Sequence, residues 1–198
     1  MDGRTRPSPW PPHLAWVVPP HEGPQLDLAS AEEDITCLYQ WPAGAFLGSR
    51  LAELAPCAGK RVADLGCGRG TLGLSACAQG ASQVLFADAS PVAVEFLGRT
   101  LRANALDGRA QVVRHEWGGA LPAGPYDLIL GGDILYRPDC FAALLATIAA
   151  SLGPAGYALL SDPRTTLEPG LGDLAAVHRL QWTARRLDHT TIVRLVRA

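Results

Sequence analysis

From Arg61 onward, short apolar runs alternate with helical stripes. Runs of strand length fall at about 61–65, 82–88, 110–115, 126–131 and 155–161. Small residues from Leu72 to Gln79 suit a helix, and Ser90-Pro91 supplies an N-cap and first turn. The stripe Val94, Leu97, Leu101 and Ala105 then predicts a helix over about 91–105. Another, from Pro138 to Leu152, carries Phe141, Leu144, Leu145 and Ile148 and is expected to end at Gly153-Pro154 through a left-handed glycine cap. Ahead of the first strand, Leu47, Leu51 and Leu54 share one helical face that should pack on the sheet. Such alternation predicts βαβ units in a parallel sheet with helices on both faces. The end of the chain differs. Leu180 to Leu187 and Thr190 to Val196 are strand-like and separated only by Asp188-His189, a connection that permits only antiparallel pairing. The expected fold is therefore α/β and Rossmann-like, with seven strands, mostly parallel and closed by a C-terminal antiparallel hairpin. A standard dinucleotide domain keeps its strands parallel.

Composition narrows the picture. With 198 residues the chain suits one domain, and seven prolines before Gln25 predict an extended arm over 1–24 ahead of a single domain at 25–198. A net charge of −2 with 48% apolar residues argues against disorder and against nucleic-acid partners. The five cysteines, Cys37, Cys57, Cys67, Cys77 and Cys140, are odd in number and contain no Cys-x-x-Cys pair, which points to reduced thiols in a cytoplasmic protein and away from zinc or disulfides. No two histidines have metal-ligand spacing. No apolar run reaches the roughly 20 residues of a membrane span. A monomer with no membrane partner is expected.

The chemistry concentrates after the first strand. Asp64 stands at its carboxyl end, and Gly66, Gly68 and Gly70 follow at alternate positions. Glycines here let backbone pass close to a ligand before the helix begins. Gly68 to Gly73 also fits the Gly-x-Gly-x-x-Gly pattern of nicotinamide-cofactor enzymes, so spacing alone does not decide. Two features do. The first glycine after the strand is Gly66, which makes the dinucleotide match start late, and the Asp64 carboxylate would oppose a pyrophosphate while suiting a cation. S-adenosylmethionine, with an ammonium, a sulfonium and no phosphate, is the expected cofactor. Asp88 ends the second strand, where a carboxylate accepts hydrogen bonds from ribose hydroxyls. Glu116 and Trp117, after the third strand, could meet an adenine amine and ring face.

These residues resemble motif I of class I methyltransferases. Two further segments, Gln40-Trp41-Pro42-Ala43-Gly44 and Gly131-Gly132-Asp133-Ile134-Leu135-Tyr136, are similar to the seven-β-strand lysine methyltransferases, especially the branch that includes the electron-transfer-flavoprotein β-subunit methyltransferase. The resemblance implies catalytic roles for Asp133 and Tyr136 at the mouth of an active site, with Trp41 closing over the cofactor. It implies, too, that Gly132 and the Gly66–Gly70 loop hold the cofactor. Methyl transfer to a protein lysine is the activity it suggests, with a protein substrate as partner. A small-molecule N- or O-methyltransferase stays open, as do a non-catalytic S-adenosylmethionine-binding protein and a nicotinamide-dependent oxidoreductase. One departure stands out: the branch carries a Gly-Asp-Pro-Gly-Arg-like turn where this chain reads Ser161-Asp162-Pro163-Arg164-Thr165, so the family's protein substrate does not carry over.

Overall fold

The computed structural model describes residues 35–165 and 170–198, and the arm predicted for 1–24 lies outside the described residues. Seven strands form one sheet: β1 (Arg61–Leu65), β2 (Gln83–Asp88), β3 (Ala110–Arg114), β4 (Tyr126–Gly132), β5 (Leu152–Asp162), β6 (Leu180–Leu187) and β7 (Thr190–Arg197). Their spatial order is β3-β2-β1-β4-β5-β7-β6. Pairing is parallel from β3 to β5, and β7 runs antiparallel to both β5 and β6. The Rossmann-like seven-stranded sheet with its C-terminal hairpin is thus present as the sequence pattern predicts.

Among the described residues, six α-helices accompany the sheet: α1 (Pro42–Ser49), α2 (Leu51–Leu54), α3 (Thr71–Ala78), α4 (Pro91–Ala103), α5 (Phe141–Ser151) and α6 (Leu171–Val177). Strand alternation sends apolar side chains to opposite faces, and two clusters result. Val62, Val84, Phe86, Leu128 and Leu130 pack on one face with residues of α1 to α4. Ala63, Leu65, Leu85 and Ile129 pack on the other with residues of α5 and α6.

Two elements differ from the sequence expectation. The stripe Leu47, Leu51 and Leu54 does face the core, but the helix breaks at Arg50 (φ −112°, ψ 10°), giving two short helices that share the stripe. At the other place, α5 stops at Ser151, Leu152 is already extended, and Gly153-Pro154 lie inside β5 instead of capping a helix. The reason is a close strand contact. A Cβ on Gly156 would stand 2.5 Å from the Tyr126 carbonyl oxygen, and one on Gly153 would stand 3.2 Å from it, where the β4–β5 register shifts.

The sheet order reverses between β1 and β4: β1 continues outward to β2, and β4 outward to β5. In such sheets a crevice opens at the carboxyl ends of the strands on either side of the reversal. Here those ends are Leu65 and Gly132, flanked by Asp88 and Asp162.

Candidate active site at the strand crossover

A cavity of about 740 Å³ opens at this reversal. On the β1–β2 side its wall contains Asp64, Gly66, Gly68, Asp88 and Trp117; on the β4–β5 side, Gly132, Asp133, Tyr136, Asp162 and Arg164; Trp41 stands over it from the segment ahead of α1.

Asp64 is 1% exposed. Helix α3 begins after Gly70, which has no side chain to cap it, and the α3 amide of Gly73 donates instead to Asp64 Oδ2 at 2.8 Å. The strand-end carboxylate therefore serves as a remote N-cap. Burial pushes its pKa up to about 8, the Gly73 hydrogen bond partly counteracts this, and the Asp88 charge adds to the rise. Asp88 is better supplied with donors, since its Oδ2 accepts from Gly68 N at 2.8 Å and its Oδ1 from Ser90 N at 2.9 Å. It thereby ties the glycine loop to the start of α4.

Gly68 has φ +49°, and a Cβ there would sit 2.4 Å from the Cys37 carbonyl oxygen, so this position requires glycine on both counts. Gly70 is set back from the cavity against Leu97 and Phe86, where it forms the turn into α3. Trp117 is half-buried, its ring edge beside Gly66. Glu116 is not brought to the wall: its side chain is 78% exposed and stands 3.7 Å from Arg114. The strand ends at Arg114, and the chain turns there so that Trp117 faces in and Glu116 faces water.

On the opposite wall the two segments singled out in the sequence meet each other. A Cβ on Gly132 would be 2.6 Å from the Gly44 Cα, so backbones of β4 and α1 touch. Beside this contact the Gly44 amide donates to Asp133 Oδ2 at 2.6 Å. The N-cap position of α1 is Trp41, whose side chain makes no cap hydrogen bond, and Asp133 supplies the missing acceptor from just beyond the end of β4. Burial raises the Asp133 carboxyl above the ordinary carboxylate range, and hydrogen bonds from the amides of Gly44 and Ala43 partly counteract it. Asp133 has φ +56°, a costly conformation for a residue with a side chain. Tyr136 and Trp41, at 63% and 50% exposure, stand at the cavity mouth.

Sequence reasoning gave no site role to Cys37, Asp162 or Arg164, which also line the cavity. Asp162 is fully buried and receives Arg164 through Nε to Oδ1 at 2.8 Å and Nη2 to Oδ2 at 2.7 Å. Thr191 and Arg186 in turn donate to the Arg164 carbonyl, fixing the turn after β5. The Asp-Pro-x signal of a turn was visible; the return of Arg164 onto Asp162 was not.

Comparison with known proteins adds to this geometry. A family model described as a methyltransferase domain matches residues 42–198. The chain is 45% identical over 96 residues to protein N-lysine methyltransferase METTL21A of Danio rerio, covering 46% of this chain and 43% of the relative. It is 40% identical over 108 residues to EEF1A lysine methyltransferase 3 of Mus musculus, covering 52% and 45%. The chain thus spans less than half the length of these two curated relatives. Among solved structures it superposes on a TehB-like SAM-dependent methyltransferase from Corynebacterium glutamicum with TM-score 0.64 and 18% identity, covering 87% of this chain and 97% of that one.

Proposed function

We propose a function from the premise that this chain belongs to the methyltransferase-domain family, whose model spans residues 42–198: it moves the methyl group of S-adenosylmethionine onto the side-chain amine of a protein lysine. The observation that carries this reading is the cavity at the strand reversal, with aspartates on both walls and a glycine loop between β1 and α3. The likeness to two lysine methyltransferases supports the acceptor.

The residues present fit the cofactor. The Gly66–Gly68 backbone, Asp64 and Asp88 would hold it from the β1–β2 side, Trp117 would offer a flat apolar surface, and Trp41 and Gly132 would bound it from above and across. When bound, S-adenosylmethionine supplies a methyl group on a sulfonium centre, ready for in-line displacement.

What remains for the protein is positioning in a dry site, since a bound near-attack geometry can contribute several kcal/mol, about 7–11 in favourable cases. Asp133 and Tyr136 receive the acceptor. The Asp133 carboxylate orients the incoming ammonium by hydrogen bonding and takes part in removing its proton, which a reference pKa of about 10.4 makes costly in water. Burial helps, because it raises the proton affinity of Asp133 and lowers that of the amine. Tyr136 presents its ring or hydroxyl to the same cation at the mouth.

Incubation of the protein with cell extract and cofactor labelled in the methyl group tests this reading. Label in the protein fraction, recovered as methyl-lysine after hydrolysis, is the expected result. Label confined to small metabolites would move the acceptor to the small-molecule class, and no transfer into either fraction would contradict the enzyme reading.

A further inference from the structure

The segment Thr36–Gly44 crosses the cavity from one wall to the other. At the cofactor side, the Cys37 carbonyl packs against Gly68 and the Cys37 thiol lies 3.5 Å from Ser90 Oγ, at the cap of α4. Midway, Tyr39 and Trp41 line the cavity, and Trp41 Nε1 donates to the Thr36 carbonyl at 3.1 Å, closing the segment on itself. At the far side the segment becomes α1. Its first helical residue is Pro42, which has no N–H, and its cap residue offers no side-chain acceptor. The buried amides of Ala43 and Gly44, which have no acceptor within the helix, therefore depend on Asp133, 89 positions beyond Gly44 in the chain. Asp133 is itself fixed, its own amide donating to the Ser161 carbonyl at 2.8 Å.

We propose that Asp133 is a positioning residue as well as an acceptor-facing one: by capping α1 it latches the Thr36–Gly44 strap across the cavity and so sets how long the cofactor stays bound. The inference rests on the S-adenosylmethionine reading for its ligand, but the latch itself is made by the chain's own residues. A carboxylate that served the acceptor alone would leave cofactor release unchanged when no acceptor is present. A latch makes the opposite demand, because loss of the cap frees the start of α1 and with it Trp41.

The test uses the full chain as wild type, Asp133→Asn and Asp133→Gly, since asparagine and glycine both tolerate the left-handed backbone at this position. Two quantities are read without acceptor: the dissociation rate of S-adenosylhomocysteine, and hydrogen exchange of amides in residues 43–48. A helix cap contributes on the order of 1 kcal/mol, so release should quicken about fivefold to tenfold in Asp133→Gly, with a smaller change in Asp133→Asn, which keeps a neutral acceptor. Exchange at 43–48 should accelerate in parallel while β1 and β4 keep wild-type protection. Wild-type release and wild-type exchange in both variants would overturn the proposal. Wild-type protein that binds no S-adenosylhomocysteine would sink the cofactor reading, and exchange in the unliganded variants would still decide the latch.

Discussion

Asp64 and Asp88 stand at the ends of neighbouring parallel strands, yet their surroundings differ. Asp88 accepts two backbone N–H bonds and is only half-buried, whereas Asp64 is buried with one such bond. With its pKa at about 8, Asp64 holds a proton in the unliganded protein at neutral pH. A carboxyl raised in the folded state binds more protons folded than unfolded, so its contribution to stability falls as pH rises from about 4 towards 8. A cationic ligand reverses the preference by favouring the carboxylate. Binding of S-adenosylmethionine near pH 7 should therefore release a proton, and titrations in phosphate and in Tris should give different observed enthalpies. The Asp64→Asn variant should lose that difference and bind more weakly, by about tenfold for one lost charge-assisted contact. Equal enthalpies in the two buffers for the wild type would contradict the assignment.

Among the elements, the joint between α1 and β4 tolerates little change. Gly132→Ala places a Cβ 2.6 Å from the Gly44 Cα, a backbone atom that can yield only if α1 moves. Overpacking of this kind costs about 1–3 kcal/mol, which a shift in the denaturation midpoint would register, and cofactor affinity should fall with it as Trp41 is displaced. Most elements were legible in the sequence. The bounds of β1 and β6 coincide with the apolar patterning, and Ser90-Pro91 starts α4 as its cap chemistry demands, Ser90 Oγ accepting from Ala93 N. The exceptions have tertiary causes. Gly153-Pro154 reads as a helix stop until the Tyr126 carbonyl is placed beside it, and the leucine stripe of α1 and α2 says which face is buried without saying that the backbone breaks at Arg50.

For the whole molecule, the strand order decides where chemistry occurs, and the alternation of strands and helices was enough to expect a crevice after β1. The acids there were legible as strand-end residues, but their partners were not. The bond from Gly44 to Asp133 and the return of Arg164 onto Asp162 depend on packing that local spacing does not encode, and the same limit put Glu116 in the expected site although its side chain faces water. The ambiguous glycine pattern is resolved most simply at the ligand. Calorimetric titration of the wild-type chain with S-adenosylmethionine, S-adenosylhomocysteine and NAD is the most direct measurement. The account predicts saturable binding of the first two and no heat of binding with NAD, and binding of NAD without either sulfur nucleoside would contradict it.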